Sequence, residues 1–192
     1  GRTFLTSTYV ALDVEATGMD PARDEIIEIA ALKFSEERVI AQWQSLIRPR
    51  GPVPFNITTL TGITTEDVES APRFNEIQDD LRAFIGRHPI VGQSPQFDVE
   101  MLAGAGLRLR NPRYDTFELA TILMPELPAY NLATIAQRLN VEVTSSHRAL
   151  ADVETTADVF RALIRLLTEY DVGTLDRLAS LARVSRSPLE RL

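Results

Sequence analysis

Tyr9-Val10-Ala11-Leu12-Asp13-Val14-Glu15 is an apolar, partly β-branched run that ends in two acids. Its apolar part predicts a central strand over 9–14. Outward from it, 25–34 (Glu-Ile-Ile-Glu-Ile-Ala-Ala-Leu-Lys-Phe) predicts a second strand, and the alternation over 39–47 a third. Thr17-Gly18 and residues 19–24 link the first two, and the prolines and glycine of 48–54 read as a loop. Phe74, Ile77, Leu81, Phe84 and Ile85 then repeat at helical spacing, predicting a helix over 73–86 that Gly86 terminates. Ile90-Val91-Gly92 predicts a short buried strand. Ser94-Pro95 predicts a helix start, with Ser94 as N-cap and proline at the first helical position. Further helices are expected over 116–123, 131–139 and 149–167, and a last helix and tail over 170–192. Three strands in hairpin-like succession, followed by helices around one more strand, predict an α/β fold with a mixed sheet.

The bulk properties set limits. The 192 residues, 44% of them hydrophobic, fit one globular domain with a short appendage. No apolar run approaches the roughly 20 residues that span a bilayer, and the first residues lack the core and cleavage pattern of a signal peptide. With no cysteine, disulfides and thiolate metal sites are excluded, and the cytoplasm is the expected compartment. A formal charge of −7 argues against a large surface that coats nucleic acid. It leaves room for an enzyme that grips a few nucleotides through bound cations.

Asp13 and Glu15, two apart on a strand, point to one face. Asp98 falls in the first turn of the helix after Pro95, and Asp152 one turn into the long helix that begins near 149. His147 stands just before that helix. Each has a plain structural explanation when taken singly: a solvated strand end, an acid on a helix dipole, a surface histidine. Together they are a different matter. Four acids that meet repel one another unless cations lie between them. Divalent metals with a neighbouring histidine base are the equipment of phosphodiester hydrolysis.

The ordered set resembles the DEDDh 3′–5′ exonucleases, the DnaQ-like family with a ribonuclease-H-like fold. The first motif matches as Leu12-Asp13-Val14-Glu15-Ala16-Thr17-Gly18, and the second in part as Val91-Gly92-Gln93-Ser94-Pro95-Gln96-Phe97-Asp98. The third matches as His147-Arg148-Ala149-Leu150-Ala151-Asp152. Ile47-Arg48-Pro49, Leu60-Thr61-Gly62-Ile63-Thr64, Asp115-Thr116-Phe117-Glu118-Leu119-Ala120 and Pro125-Glu126-Leu127-Pro128 also look like that family. The likeness covers about residues 8–170.

The resemblance implies a mixed five-stranded sheet flanked by helices and an exonuclease domain over 1–170. Residues 171–192 would form a helical extension, similar to the segment that follows the exonuclease module in DinG-type helicases and polymerase-associated exonucleases and leads to a further domain. Asp13, Glu15, Asp98 and Asp152 would hold two Mg²⁺ or Mn²⁺ ions through oxygen. One ion would help activate the attacking water and the other would steady the leaving 3′-oxygen. His147 would be the general base, a role that suits imidazole, whose ordinary pKa is about 6.5. The backbone of Ala16 and Thr17 and a loop at Leu60-Thr61 would hold the terminal nucleotide. Phe97 stands either to stack on a base or to pack in the core.

The substrate would be the 3′ end of single-stranded DNA or an unpaired terminus, the product a nucleoside 5′-monophosphate, and the partner a helicase or polymerase domain. Proofreading, DNA repair and RNA maturation all use this chemistry. The family usually has His-Asn where this chain has Gln93-Ser94, and often Thr at Ala16; neither change removes an acid. Two other readings stand beside it: an exoribonuclease that trims short RNA, and an idle docking module of a helicase or polymerase assembly. Arg108, Arg110 and Arg113 around Asn111-Pro112 form a small basic cluster that reads as a solvated loop, with a phosphate contact as the alternative.

Overall fold

The computed structural model describes residues 7–144 and 147–169. The last helix and tail expected over 170–192 lie outside the described residues. Five strands, β1 (Tyr9–Ala16), β2 (Ile26–Phe34), β3 (Val39–Leu46), β4 (Ile90–Gly92) and β5 (Arg113–Asp115), form one sheet in the order β3-β2-β1-β4-β5. The first three run antiparallel, whereas β4 lies parallel to β1 and β5 parallel to β4. The sheet is therefore mixed and five-stranded, as expected.

Side-chain alternation along β1 divides the core. Tyr9 and Ala11 face one layer, which α5 (Thr116–Leu123), α6 (Leu132–Arg138) and the 20-residue α7 (Ala149–Thr168) cover. Val10, Leu12 and Val14 face the other, beneath α3 (Phe74–Ile85) and α4 (Pro95–Ala105). Both faces of β1 are buried, which explains its near-continuous apolar sequence. Asp13 and Glu15 continue the row of Tyr9 and Ala11, so they emerge on the α7 side.

A third, smaller core gathers Ile27, Val53, Ile63 and Val68 beneath α1 (Phe55–Thr61) and α2 (Thr65–Glu69). It exists because the β1–β2 register slips at its end. Glu15 pairs with Glu28, but Ala16 pairs with Ile26, so Ile27 bulges out of the ladder and turns to these helices.

The periodicity does not reveal α1, α2 or β5. The two helices have seven and five residues, too few for a repeat to register, and β5 is the polar triplet Arg-Tyr-Asp. Leu60 and Thr61, expected in a loop, form the last turn of α1, which Gly62 ends in the left-handed conformation at φ 77°. Ser94 is a second correction. It precedes α4 at φ 54° and makes no side-chain cap, and its N–H donates to Asp115 Oδ1 at 2.9 Å. Pro95 does open the helix. No helix among the described residues is long and apolar enough to cross a membrane.

Candidate active site

The C-terminal end of β1 carries Asp13 and Glu15 to the rim of the sheet, where the first turns of α7 bring Asp152 over them. One carboxylate oxygen from each of these three residues lies within 4.8 Å of the others. Asp13 Oδ2 is buried and meets no hydrogen-bond donor.

Asp98 arrives from the opposite layer. It is buried, and Val14 N–H donates to its Oδ1 at 2.8 Å, which ties α4 to β1 midway between Asp13 and Glu15. It stands outside the tight trio because its carboxylate is turned to that amide. Gly92 allows this close approach of strand and helix: a Cβ there would come within 2.8 Å of Pro95 Cβ. Behind it, Asp115 accepts the N–H groups of Ser94 and Phe117, both at 2.9 Å, and so fixes the β4–α4 turn. Gln93 donates from Nε2 to the Tyr130 carbonyl at 2.7 Å and accepts from Thr116 Oγ1, which holds the neighbouring cleft wall.

The acids pay electrostatically for meeting. Burial, then the charges of Glu15 and Asp152, push Asp13 well above the usual carboxylate range. Burial and the nearby Asp13 do the same to Asp98. Burial raises Glu15 to about 7, with Asp152, Glu28 and Asp98 adding to it. Asp152 is raised to about 6 by burial, although the His147 side chain and backbone N–H pull it back down. Perturbation on this scale, in several acids around one point, makes the cluster a candidate functional site. The same observations describe a fit to divalent cations: hard oxygen donors, an orphaned buried acceptor, and mutual repulsion that positive charge relieves.

These residues floor an open cleft of about 540 Å³, which Met19, Gln93, Phe97, Leu132 and His147 also line. His147 is exposed at φ 62°, directly before the Arg148 cap of α7. Phe97 both packs against the buried layer and faces the cleft. Ala16, Thr17, Leu60 and Thr61 are not among the residues that line this cleft. Thr17 N–H donates to the Glu25 carbonyl at 2.8 Å, and its hydroxyl accepts Glu25 N–H at 3.0 Å and donates to Asp24 at 3.2 Å. The Thr61 hydroxyl bonds within its own helix end, to Ile57 and Ile63. Leu60 is half exposed.

One residue at the site escaped the sequence reading. Glu28 is fully buried, on the same sheet face as Asp13 and Glu15, and directly opposite Glu15. Its signal was present: a lone acid inside the otherwise apolar Ile26-Ile27-Glu28-Ile29-Ala30-Ala31-Leu32 has to find a partner. That partner lies 120 residues away, at Arg148.

The chain is similar to known proteins in sequence and fold. Residues 10–160 match the exonuclease family RNase_T. The chain is 34% identical over 182 residues to the PolC-type DNA polymerase III of Bacillus cereus, a match spanning 92% of this chain and 13% of the polymerase. With the Thermotoga maritima enzyme it shares 32% identity over 184 residues, or 93% of the chain and again 13% of the polymerase. It thus spans about an eighth of the length of these relatives. Among solved structures, Exonuclease X in complex with 5′-overhanging duplex DNA superposes with a TM-score of 0.71 at 20% identity, covering 88% of this chain and 98% of that one. E. coli Exonuclease I with a dT13 oligonucleotide gives 0.72 at 20% identity over 85% and 42% of the two chains. The chain belongs to the RNase_T exonuclease family, as a 3′–5′ exonuclease domain of the DEDDh, DnaQ-like kind.

Proposed function

We propose that this domain removes nucleotides one at a time from unpaired 3′ ends of DNA, with Asp13, Glu15, Asp98 and Asp152 holding two Mg²⁺ or Mn²⁺ ions and His147 serving as general base. The observation that carries the reading is the convergence of Asp13, Glu15 and Asp152 on one point of the cleft floor. DNA is favoured as substrate because the relatives are DNA polymerases and solved neighbours of the same fold carry DNA. Bound cations would supply Lewis-acid stabilisation of the charge that grows on the phosphate.

The chain's own residues would do the rest. Asp98, anchored to Val14, and Asp152, carried by α7, set two sides of the carboxylate cage. Phe97 offers an aromatic face to the terminal base. His147 accepts a proton from the attacking water as its oxygen bonds to phosphorus and the P–O3′ bond breaks. A nucleoside 5′-monophosphate leaves, and the released 3′-oxygen takes a proton from solvent water, so the shortened strand ends in a 3′-hydroxyl. The small share of each polymerase that the chain spans supports a companion polymerase region as its partner.

The test is cleavage of 5′-labelled single-stranded DNA and of the matching RNA, with Mg²⁺, Mn²⁺ or EDTA. A ladder of one-nucleotide steps on DNA that vanishes in EDTA is expected. A ladder on RNA alone would make the domain an exoribonuclease, and no cleavage of either would leave a docking module.

A further inference from the structure

We propose that Glu28 is a positioning residue for the active site: from β2 it fastens the start of α7, and with it Asp152 and His147, over the acids of β1. This rests on the function proposed above. The Glu28 carboxylate accepts Arg148 Nη2 at 2.9 Å, Arg148 Nε at 3.3 Å and the backbone N–H of Ala149 at 2.8 Å. Its acceptors are thus bound on two sides by consecutive residues of one helix start.

The first turn of an α-helix leaves N–H groups without intrahelical partners, and a local side chain usually supplies them. Here Arg148 occupies the N-cap position and makes no side-chain cap. A strand residue 121 positions earlier caps Ala149 in its place. Both groups that this end of α7 contributes to the site lie within four residues of that clamp. His147 precedes Arg148, and Asp152 follows Ala149 by three. Asp152 N–H also bonds the Arg148 carbonyl at 3.0 Å.

A brace that merely stabilised the fold could sit anywhere along the 20-residue helix. Glu28 sits opposite Glu15 in the ladder, so the strand pairing that sets the height of Glu15 also sets the origin of α7. Outer residues that orient ligands of a metal typically change metal affinity or turnover by about 10- to 100-fold when altered.

Two variants test this, Glu28→Gln and Arg148→Lys. The first keeps an oxygen for Ala149 and loses the charge; the second keeps the charge and loses the two-point contact. Mn²⁺ affinity, followed by the loss of its free-ion electron paramagnetic resonance signal, is measured beside kcat and KM on single-stranded DNA. Mn²⁺ binding or kcat should weaken about 10- to 100-fold in both variants, with KM for DNA within about twofold of the unaltered chain. A fall in melting temperature with unchanged Mn²⁺ affinity and kcat would overturn it and leave Glu28 as a brace. If Glu28→Gln does not fold, Arg148→Lys decides by the same readouts. An unaltered chain that binds Mn²⁺ but cleaves nothing would remove the proposed function, while the Mn²⁺ comparison would still decide the role of Glu28.

Discussion

Glu15 and Glu28 face each other across the β1–β2 ladder, on one face of one sheet, yet their surroundings are opposite. Glu28 is sealed, with a guanidinium and a backbone N–H around its carboxylate. Glu15 opens on the cleft, faces other acids, and has its pKa pushed up to about 7 chiefly by burial. Like charges directly opposite on a sheet are unfavourable, and the fold resolves the conflict by neutralising one member internally. The other stays among acids at a place where a cation can reach it. An acid neutralised by a cation of the protein holds the architecture; an acid set among other acids is available for chemistry.

The largest expected effect comes from exchanging these roles by substitution. Glu15→Gln should lower DNA hydrolysis roughly 10³-fold, the loss of several kcal/mol of charge stabilisation. In metal-free protein at about pH 8 it should raise the melting temperature or leave it unchanged, because it removes repulsion. Glu28→Gln should destabilise by about 1–3 kcal/mol, since hydrogen bonds to a charged group are lost. Calorimetry of both variants checks this, and a shared sign of the two shifts would break the comparison.

A smaller effect concerns pH. Folding raises Glu15 to about 7 and Asp152 to about 6, both above their ordinary values. Between roughly pH 4 and 7 the folded chain therefore holds protons that the unfolded chain has released, so metal-free stability declines as pH rises through that window. Cations favour the ionised acids and should oppose the decline. Melting curves at about pH 5 and pH 8, with and without Mg²⁺, should show the metal-free protein weaker at the higher pH and the largest Mg²⁺ gain there. A metal-free melting temperature that rises with pH would count against the repelling cluster.

The smallest effect separates the cleft from the rest of the surface. Arg108 and Arg110 are exposed and do not line the cleft, and Arg113 already donates to Gln96 and to the Leu109 carbonyl. Changing Arg108 and Arg110 to Gln should leave the salt dependence of single-stranded DNA binding as it was. A slope reduced by about 0.7 per residue would show that each meets a phosphate.

What was legible in the chain follows from how far each signal reaches. The apolar strands and the long amphipathic helix announce themselves by period, and Asp13, Glu15, Asp98, His147 and Asp152 by their order. The structure brings Asp13, Glu15 and Asp152 together as a trio and sets Asp98 slightly apart, because its carboxylate answers Val14 N–H. That answer depends on a strand and a helix 84 residues apart and has no local trace. Ser94 reads as a cap from its type alone, but Asp115 claims its amide from another strand. The strand β5 is too short and polar to stand out; the resemblance supplied it. Glu28 was visible as an acid out of place, yet its meaning lies in Arg148, beyond the reach of any window of sequence.

The most direct measurement is the number of Mn²⁺ ions bound per chain at about pH 8, by isothermal titration calorimetry, in the unaltered protein and in Asp13→Asn. Two ions are expected for the former and the loss of at least one for the latter. Equal binding in both, or none in the unaltered chain, would contradict it.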